Sequence, residues 1–175
     1  PSILTCGMDK TIKFFNVDKQ SIDRTFCGHK SGVQDLVYVR STKCMASCGG
    51  GRTILTWNPH TCGIMQTLVG HNAPVTHLAV DELSSRLISL SLDKAIKFWD
   101  TATWRCLQTC VDHANYRPDN NLSALYWDVE QQQLLTAGNR IKLWHHSNSA
   151  FGEKVRKLRK LRKLRKLRKL RKLRK

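Results

Sequence analysis

The sequence lacks the two features that direct a chain into a membrane or out of the cell. No segment approaches the roughly 18 consecutive apolar residues that span a bilayer. The chain starts at Pro1-Ser2-Ile3, without Met and without the basic and apolar segments of a secretory signal. We therefore predict an intracellular, cytoplasmic protein with no transmembrane segment. We also expect the chain to begin inside a longer protein.

The sequence also lacks the short motifs of common enzyme and cofactor sites. No Gly-rich phosphate loop leads into a helix, and neither G-x-S-x-G nor H-E-x-x-H occurs. We therefore predict no enzymatic activity, no cofactor and no metal site.

The seven cysteines do not indicate a disulfide framework, because their number is odd and no secretory signal is present. Two pairs, Cys44/Cys48 and Cys106/Cys110, are four residues apart. On a strand that spacing corresponds to about 13 Å, which is too far for a disulfide or for one metal ion. We expect these cysteines to be reduced thiols in the core.

Acidic residues are few, with 13 Asp and Glu against 30 Lys and Arg, and the formal net charge is +17. Fourteen of the basic residues lie within 156–175, where Arg-Lys-Leu repeats without variation. The 16 that remain face all 13 acidic residues, so residues 1–155 carry only +3. The charge therefore belongs to one segment, and a basic nucleic-acid-binding fold is excluded for residues 1–155.

The segment 156–175 carries a Leu at every third position. Three residues of an α-helix turn by about 300°, so these leucines form no lasting apolar face, and an amphipathic membrane helix is not expected. We expect a disordered or irregular tail, because its charges repel one another. Three interpretations stay open: a low-complexity extension or artefact, a polybasic or nuclear-targeting segment, and a non-specific site for nucleic acid or anionic lipid.

A repeat organises residues 1–150. Similar apolar segments end in an aromatic residue at positions 15, 57, 99 and 144, which are spaced by 42, 42 and 45. A second marker, Gly or Asp followed by His, recurs at His29, His71 and His113 with a spacing of 42. Two markers with one period indicate structural repeats. Equal spacing gives the three histidines equivalent structural positions rather than a convergent catalytic or metal site.

The segments between the markers have a hydrophobic period of 2, and no long helical pattern occurs before residue 150. They predict an incomplete first unit of two strands and then three sets of four. The predicted strands are 2–6, 11–16; 22–26, 33–39, 44–48, 53–58; 64–69, 75–80, 86–90, 95–100; 105–109, 122–128, 133–137 and 140–146.

The third repeat runs from Gly70-His71 to Trp99-Asp100. A Gly-His pair and a Trp-Asp pair at a period near 40, with four strands between them, resemble the WD-repeat β-propeller family. The resemblance covers residues 3–146 and implies an all-β fold, a partial propeller of about three and a half four-stranded blades. Because closed propellers have roughly 4–8 blades, the remaining blades are expected outside this chain. A weaker similarity is to ciliary WD-repeat proteins with EF-hand segments, although no EF-hand loop is present.

In the WD-repeat family, a His, a Ser or Thr, an Asp and the Trp form a hydrogen-bonded set inside each blade. The resemblance implies a structural set at His71, Ser89, Asp93 and Trp99. The other repeats depart from the pattern, since Phe15 stands at the Trp position of the first and Gly51 at the Asp position of the second. The fourth has His113, Thr136 and Trp144 with a shortened turn at 138–139. We therefore predict one full set and three incomplete ones.

The connection after His113 is five residues longer than its equivalents. By family resemblance it opens on the face most used for partner binding, and Tyr and Arg are favoured binding anchors. The candidate partner-binding residues are Asn115, Tyr116, Arg117 and Asp119. A tolerated surface insertion is the alternative interpretation.

The chain is thus predicted to contain a propeller segment over residues 1–150, with units ending near 16, 58, 100 and 146, and a low-complexity tail over 151–175. We predict a non-enzymatic protein–protein interaction scaffold that binds other proteins through its propeller loops. The alternative function is binding of RNA, DNA or an anionic membrane through 156–175. Alternative locations are the cilium or axoneme and the nucleus.

Overall fold

The computed structural model describes residues 1–111, 123–138, 141–147 and 150–153. In these ranges the chain forms strands and turns but no helix, and hence no helix able to cross a membrane. The strands are β1 (Ser2–Cys6), β2 (Thr11–Asn16), β3 (Ser21–Cys27), β4 (Val33–Val39), β5 (Cys44–Gly49), β6 (Ile54–Trp57), β7 (Ile64–Leu68), β8 (Val75–Asp81), β9 (Arg86–Ser91), β10 (Ala95–Asp100), β11 (Cys106–Val111), β12 (Ala124–Asp128), β13 (Gln133–Ala137), β14 (Ile141–Ser147) and β15 (Ala150–Glu153). The predicted all-β fold is confirmed.

The strands form four antiparallel sheets in chain order. Sheet 1 contains β1–β3, sheet 2 contains β4–β7, sheet 3 contains β8–β11 and sheet 4 contains β12–β15. Each strand pairs with its neighbour along the chain, so every sheet is an up-and-down meander like the blade of a propeller. Three four-stranded sheets and one three-stranded sheet confirm a partial propeller.

The sequence repeats and the sheets are offset by one strand. The sequence predicted that the strand 22–26 belongs to the same sheet as 33–39. In the structure this strand is β3, and it pairs with β2. The reason is the chain connectivity, because the short turn 17–20 folds β3 back on β2, while the segment 28–32 leads away to sheet 2. The strand β15, which pairs with β14, was missed because it is only four residues long and includes a Gly.

The same turn geometry recurs between the first two strands of sheets 2, 3 and 4. Each of these turns has four residues, and its last residue has a left-handed backbone: Lys43, Ser85 and Gln132 have φ values of 52°, 52° and 51°. Equal turns give equal strand registers, which is how the period of the sequence becomes a period of the structure.

The core consists of three apolar layers, one between each pair of consecutive sheets. A Trp lies in each layer: Trp57 between sheets 1 and 2, Trp99 between sheets 2 and 3, and Trp144 between sheets 3 and 4. The middle strands of sheets 2 and 3 are covered on both faces, which explains their nearly continuous apolar runs.

Three of the four cysteines expected in the core are buried, namely Cys44, Cys48 and Cys110. Burial raises the pKa of the Cys48 thiol, so this group stays protonated. The prediction is wrong for Cys106, which is exposed at the first position of β11, the outermost strand of its sheet.

Candidate functional site

The segments that lead from one sheet to the next share one edge of the structure with the turns between the second and third strands. Val75, the first residue of β8, pairs with Ser91, the last residue of β9, and the chain turns into β10 directly afterwards. We call this the loop edge. It comprises the connections 28–32 and 69–74, the turns 50–53 and 92–94, and the equivalent turn 7–10 between the first two strands of the three-stranded sheet 1.

Backbone hydrogen bonds cross the loop edge between successive sheets. Val33 N–H donates to Gly7 O at 2.9 Å, and Val75 N–H donates to Gly51 O at 3.1 Å. Within sheet 2 the chain approaches itself so closely that a Cβ atom at Gly49 would lie 2.0 Å from Gly32 O, so this position requires glycine. Backbone hydrogen bonds therefore fix turns of the loop edge to the following sheet.

In the third repeat, Ser89 contacts both a connection residue and a core residue. Its Oγ shares a hydrogen bond of 2.7 Å with His71 Nε2 and accepts the Trp99 indole N–H at 2.9 Å. All three side chains are buried, where a Trp or His N–H needs a partner. The contact links the connection 69–74 to the centre of sheet 3.

The second repeat contains the same contact, although the sequence predicted only an incomplete set there. Ser47 Oγ shares a hydrogen bond of 2.6 Å with His29 Nε2 and accepts the Trp57 indole N–H at 2.7 Å. In the fourth repeat, the Trp144 indole N–H donates to Thr136 Oγ1 at 3.0 Å, while His113 lies outside the described residues.

Asp93, the fourth member of the predicted set, lies in the turn 92–94. Its carboxylate accepts the Ala95 N–H at 3.0 Å, and the structure gives no hydrogen bond between it and His71. The buried Nδ1 of His71 has no partner among the described residues. Burial lowers the pKa of His71 to about 4, while the charge of Asp93 acts in the opposite, weaker direction.

A serine 2.7 Å from a histidine, with an aspartate nearby, also has the composition of a nucleophile, a base and an acidic partner. Ser89 is completely buried, and its oxygen already accepts the Trp99 indole. No substrate carbonyl can reach that oxygen, and the same pair recurs at Ser47 and His29. The arrangement is therefore structural, as expected for a contact that each repeat needs once.

The predicted partner-binding residues Asn115, Tyr116, Arg117 and Asp119 lie outside the described residues. Sequence reasoning missed other exposed side chains at the loop edge. The apolar ones are Met8, Val69 and Leu92, and the basic ones are Lys10, Lys30 and Arg52. The 42-residue period was the available signal for two of them, because Met8 and Leu92 are 84 residues apart and precede Asp9-Lys10 and Asp93-Lys94.

Two segments of the chain match a known protein family. The family described as "WD domain, G-beta repeat" matches residues 20–58 and 62–100. Each matched segment contains one complete His–Ser–Trp contact. No curated protein matches the chain. Residues 20–58 and 62–100 are therefore WD repeats, and together with the four sheets they support a WD-repeat family for this chain.

Proposed function

We propose that this chain is a non-enzymatic interaction scaffold that binds a protein partner at the loop edge. WD40 repeats generally mediate protein–protein interactions. The observation that supports the loop edge is the exposure of apolar side chains on turns whose backbone is held by hydrogen bonds. A fixed surface of this kind binds a partner without the cost of ordering a loop.

The chemistry of the loop edge favours a partner segment with apolar and acidic residues. Met8 and Leu92 occupy equivalent turns, and the exposed cations Lys10, Lys30 and Arg52 lie on the same edge. The negative charge of Asp9 is paired with Lys13. The hydrogen bond between them, at 2.6 Å, helps hold the pKa of Asp9 at about 2. Apolar anchors on an edge that also carries these exposed cations complement a peptide with apolar and acidic residues.

The test is site-specific photocrosslinking in a cell extract. A photoreactive phenylalanine analogue is placed at Met8 or Leu92, and at Leu83 as the matched control. Leu83 is an exposed apolar residue in the turn 82–85 at the opposite edge of sheet 3. We expect the same protein adduct from the two loop-edge positions and none from Leu83. Adducts of equal yield at all three positions, or none at any, would contradict the proposal.

A second candidate function depends on the tail alone. Fourteen basic residues within 156–175 favour non-specific binding of a polyanion, with an affinity that falls steeply as salt increases. The full chain and a chain ending at residue 155 are compared for binding to single-stranded RNA and to anionic vesicles. We expect binding by the full chain only, and binding of equal strength by the shortened chain would contradict this function.

A further inference from the structure

The last two strands of sheet 3, β10 and β11, bring a thiol and an amine to one hydroxyl. Thr109 Oγ1 accepts a hydrogen bond from Lys97 Nζ at 2.7 Å and lies 3.8 Å from Cys106 Sγ. The sulfur and the nitrogen are therefore no farther apart than these two distances together. Cys106 and Thr109 are exposed and Lys97 is half-buried, so a reagent in solution can reach the thiol. We call these three residues the thiol–amine cluster.

A β-bulge in β11 places the cluster on one face of the sheet. Side chains alternate between the faces along a regular strand, so Cys106 and Thr109, which are three positions apart, would lie on opposite faces. In β11, Leu107 is skipped in the register, so that Trp99 pairs with Cys106 and Lys97 pairs with Thr109. Trp99 and Lys97 are two positions apart on β10, and their partners therefore share one face.

The same bulge recurs in sheets 1 and 2, but the thiol does not. An Ile stands at the position of Cys106 in both sheets, Ile22 in sheet 1 and Ile64 in sheet 2. The position of Lys97 holds Leu55 in sheet 2. A sheet of this fold thus forms without the thiol and without the amine, so packing of the repeat does not explain why sheet 3 has both.

The amine of Lys97 is bound by a hydroxyl, whereas the amine at the equivalent position of sheet 1 is bound by a carboxylate. Lys13 forms an ion pair with Asp9 at 2.6 Å, while Lys97 has no ion pair within the described ranges. A carboxylate only accepts hydrogen bonds and so favours the ammonium, but a hydroxyl can also donate to a neutral amine. The hydroxyl of Thr109 is therefore compatible with the nucleophilic form of Lys97.

We propose that the thiol–amine cluster is a self-acylation site, which takes an acyl group from a thioester onto Cys106 and passes it to Lys97. In the first step the Cys106 thiolate attacks the carbonyl carbon of the thioester and forms a C–S bond. The C–S bond of the donor breaks, and the released donor thiol takes up the proton that Cys106 lost. In the second step the neutral Lys97 nitrogen attacks the same carbon and forms a C–N bond. The C–S bond to Cys106 breaks, and the proton lost by the nitrogen returns to the sulfur, so no atom is oxidised or reduced.

Proximity favours this route over direct attack of the amine on the donor. A thiolate is a strong nucleophile, and once it carries the acyl group the transfer to Lys97 takes place within one molecule, which replaces an encounter in solution. The product amide removes the positive charge of Lys97. Because the acyl group stays on the chain, each chain reacts once, and the cluster is a site of modification rather than of turnover.

The test is incubation of the full chain with acetyl coenzyme A at mildly alkaline pH, with acetylation of each lysine followed by peptide mass spectrometry. Cys106→Ile installs the residue type of sheets 1 and 2, and it should lower the acetylation rate of Lys97 at least about fivefold, because the intramolecular step is lost. Acetylation of Lys13 in the same sample should not change. The matched control Cys27→Ser removes the other exposed thiol and should leave the acetylation of Lys97 as it is.

A second variant, Lys97→Arg, keeps the positive charge and a hydrogen-bond donor for Thr109 but removes the amine that receives the acyl group. It should retain the acetyl group on Cys106 as a thioester, seen as a mass increase of the chain that hydroxylamine reverses. Equal acetylation of Lys97 in Cys106→Ile and in the unsubstituted chain would overturn the proposal. The absence of a hydroxylamine-sensitive acetyl group on Cys106 in Lys97→Arg would also overturn it.

Discussion

The second repeat (20–58) and the third repeat (62–100) each bring a His, a Ser and a Trp together in nearly the same geometry. Only the third has an acidic residue in the turn between the second and third strands of its sheet. The Ser–His and Ser–Trp distances are 2.6 and 2.7 Å in the second repeat and 2.7 and 2.9 Å in the third. Gly51 occupies the position of Asp93. The His–Ser–Trp contact therefore forms without the acid.

This difference shows that the Ser and the Asp of the repeat have separate roles. The Ser hydroxyl links a His from the connection, buried in the third repeat and half-buried in the second, to a buried Trp in the sheet, where ring N–H groups need a partner. Asp93 binds the backbone of its own turn through the Ala95 N–H and places a negative charge near His71. The turn of the first repeat behaves alike, since Asp9 accepts the Thr11 N–H at 3.1 Å.

The largest effect is expected when the shared hydroxyl is removed. Ser89→Ala and Ser47→Ala each leave a buried indole N–H and a histidine without their partner, which costs about 1–3 kcal/mol. We expect a similar loss in both repeats in denaturant unfolding, and Ser84→Ala in an exposed turn serves as the control. A large loss for Ser89 alone would show that the contact depends on Asp93.

Acid should destabilise the chain through the same contact. The folded pKa of His71 is about 4 against an ordinary value of 6.5, so the unfolded chain binds this proton first as the pH falls. Stability is therefore complete above pH 6.5 and declines between pH 6.5 and about 4. Burial lowers the pKa of His29 in the same direction. We expect His71→Gln to flatten the curve of melting temperature against pH in this range. An unchanged slope would contradict protonation of His71 as the cause of the acid destabilisation.

A smaller gain is expected when the acid of the third repeat is transferred to the second. A Cβ atom at Gly51 would meet no atom closer than 3.8 Å, and a carboxylate there can accept the Thr53 N–H as Asp93 accepts that of Ala95. Gly51→Asp should stabilise the chain by about 0.5–1.5 kcal/mol. Gly51→Ala measures the part due to backbone entropy alone, so equal gains in the two variants would show that the carboxylate adds nothing.

The smallest effect concerns the reverse change, Asp93→Asn. The charge of Asp93 opposes the lowering of the His71 pKa, so its removal should take this pKa below about 4. The turn keeps a side-chain oxygen that can accept the Ala95 N–H, so stability should change by less than about 1 kcal/mol. NMR titration of the His71 ring measures the shift, and a rise of the pKa would contradict the assigned electrostatics.

The sequence predicted the strands well because each is short, bounded by turn residues and repeated with one period. It did not predict the sheet to which β3 belongs, since strand pairing depends on which turn folds back. Of the predicted set, Ser89 and Trp99 meet because the register of β9 and β10 places them on paired strands, and the connection 69–74 brings His71 to the same hydroxyl. The orientation of the Asp93 carboxylate and the exposure of Met8 depend on local packing, which spacing does not determine.

Hydrogen exchange of the Trp57 and Trp99 indole N–H groups, followed by NMR, tests most directly whether each Ser hydroxyl links its repeat. Both groups should be protected in the unsubstituted chain. Ser47→Ala should accelerate the exchange of Trp57 alone, and Ser89→Ala that of Trp99 alone. Rapid exchange of either indole in the unsubstituted chain, or protection that persists in both variants, would contradict the account.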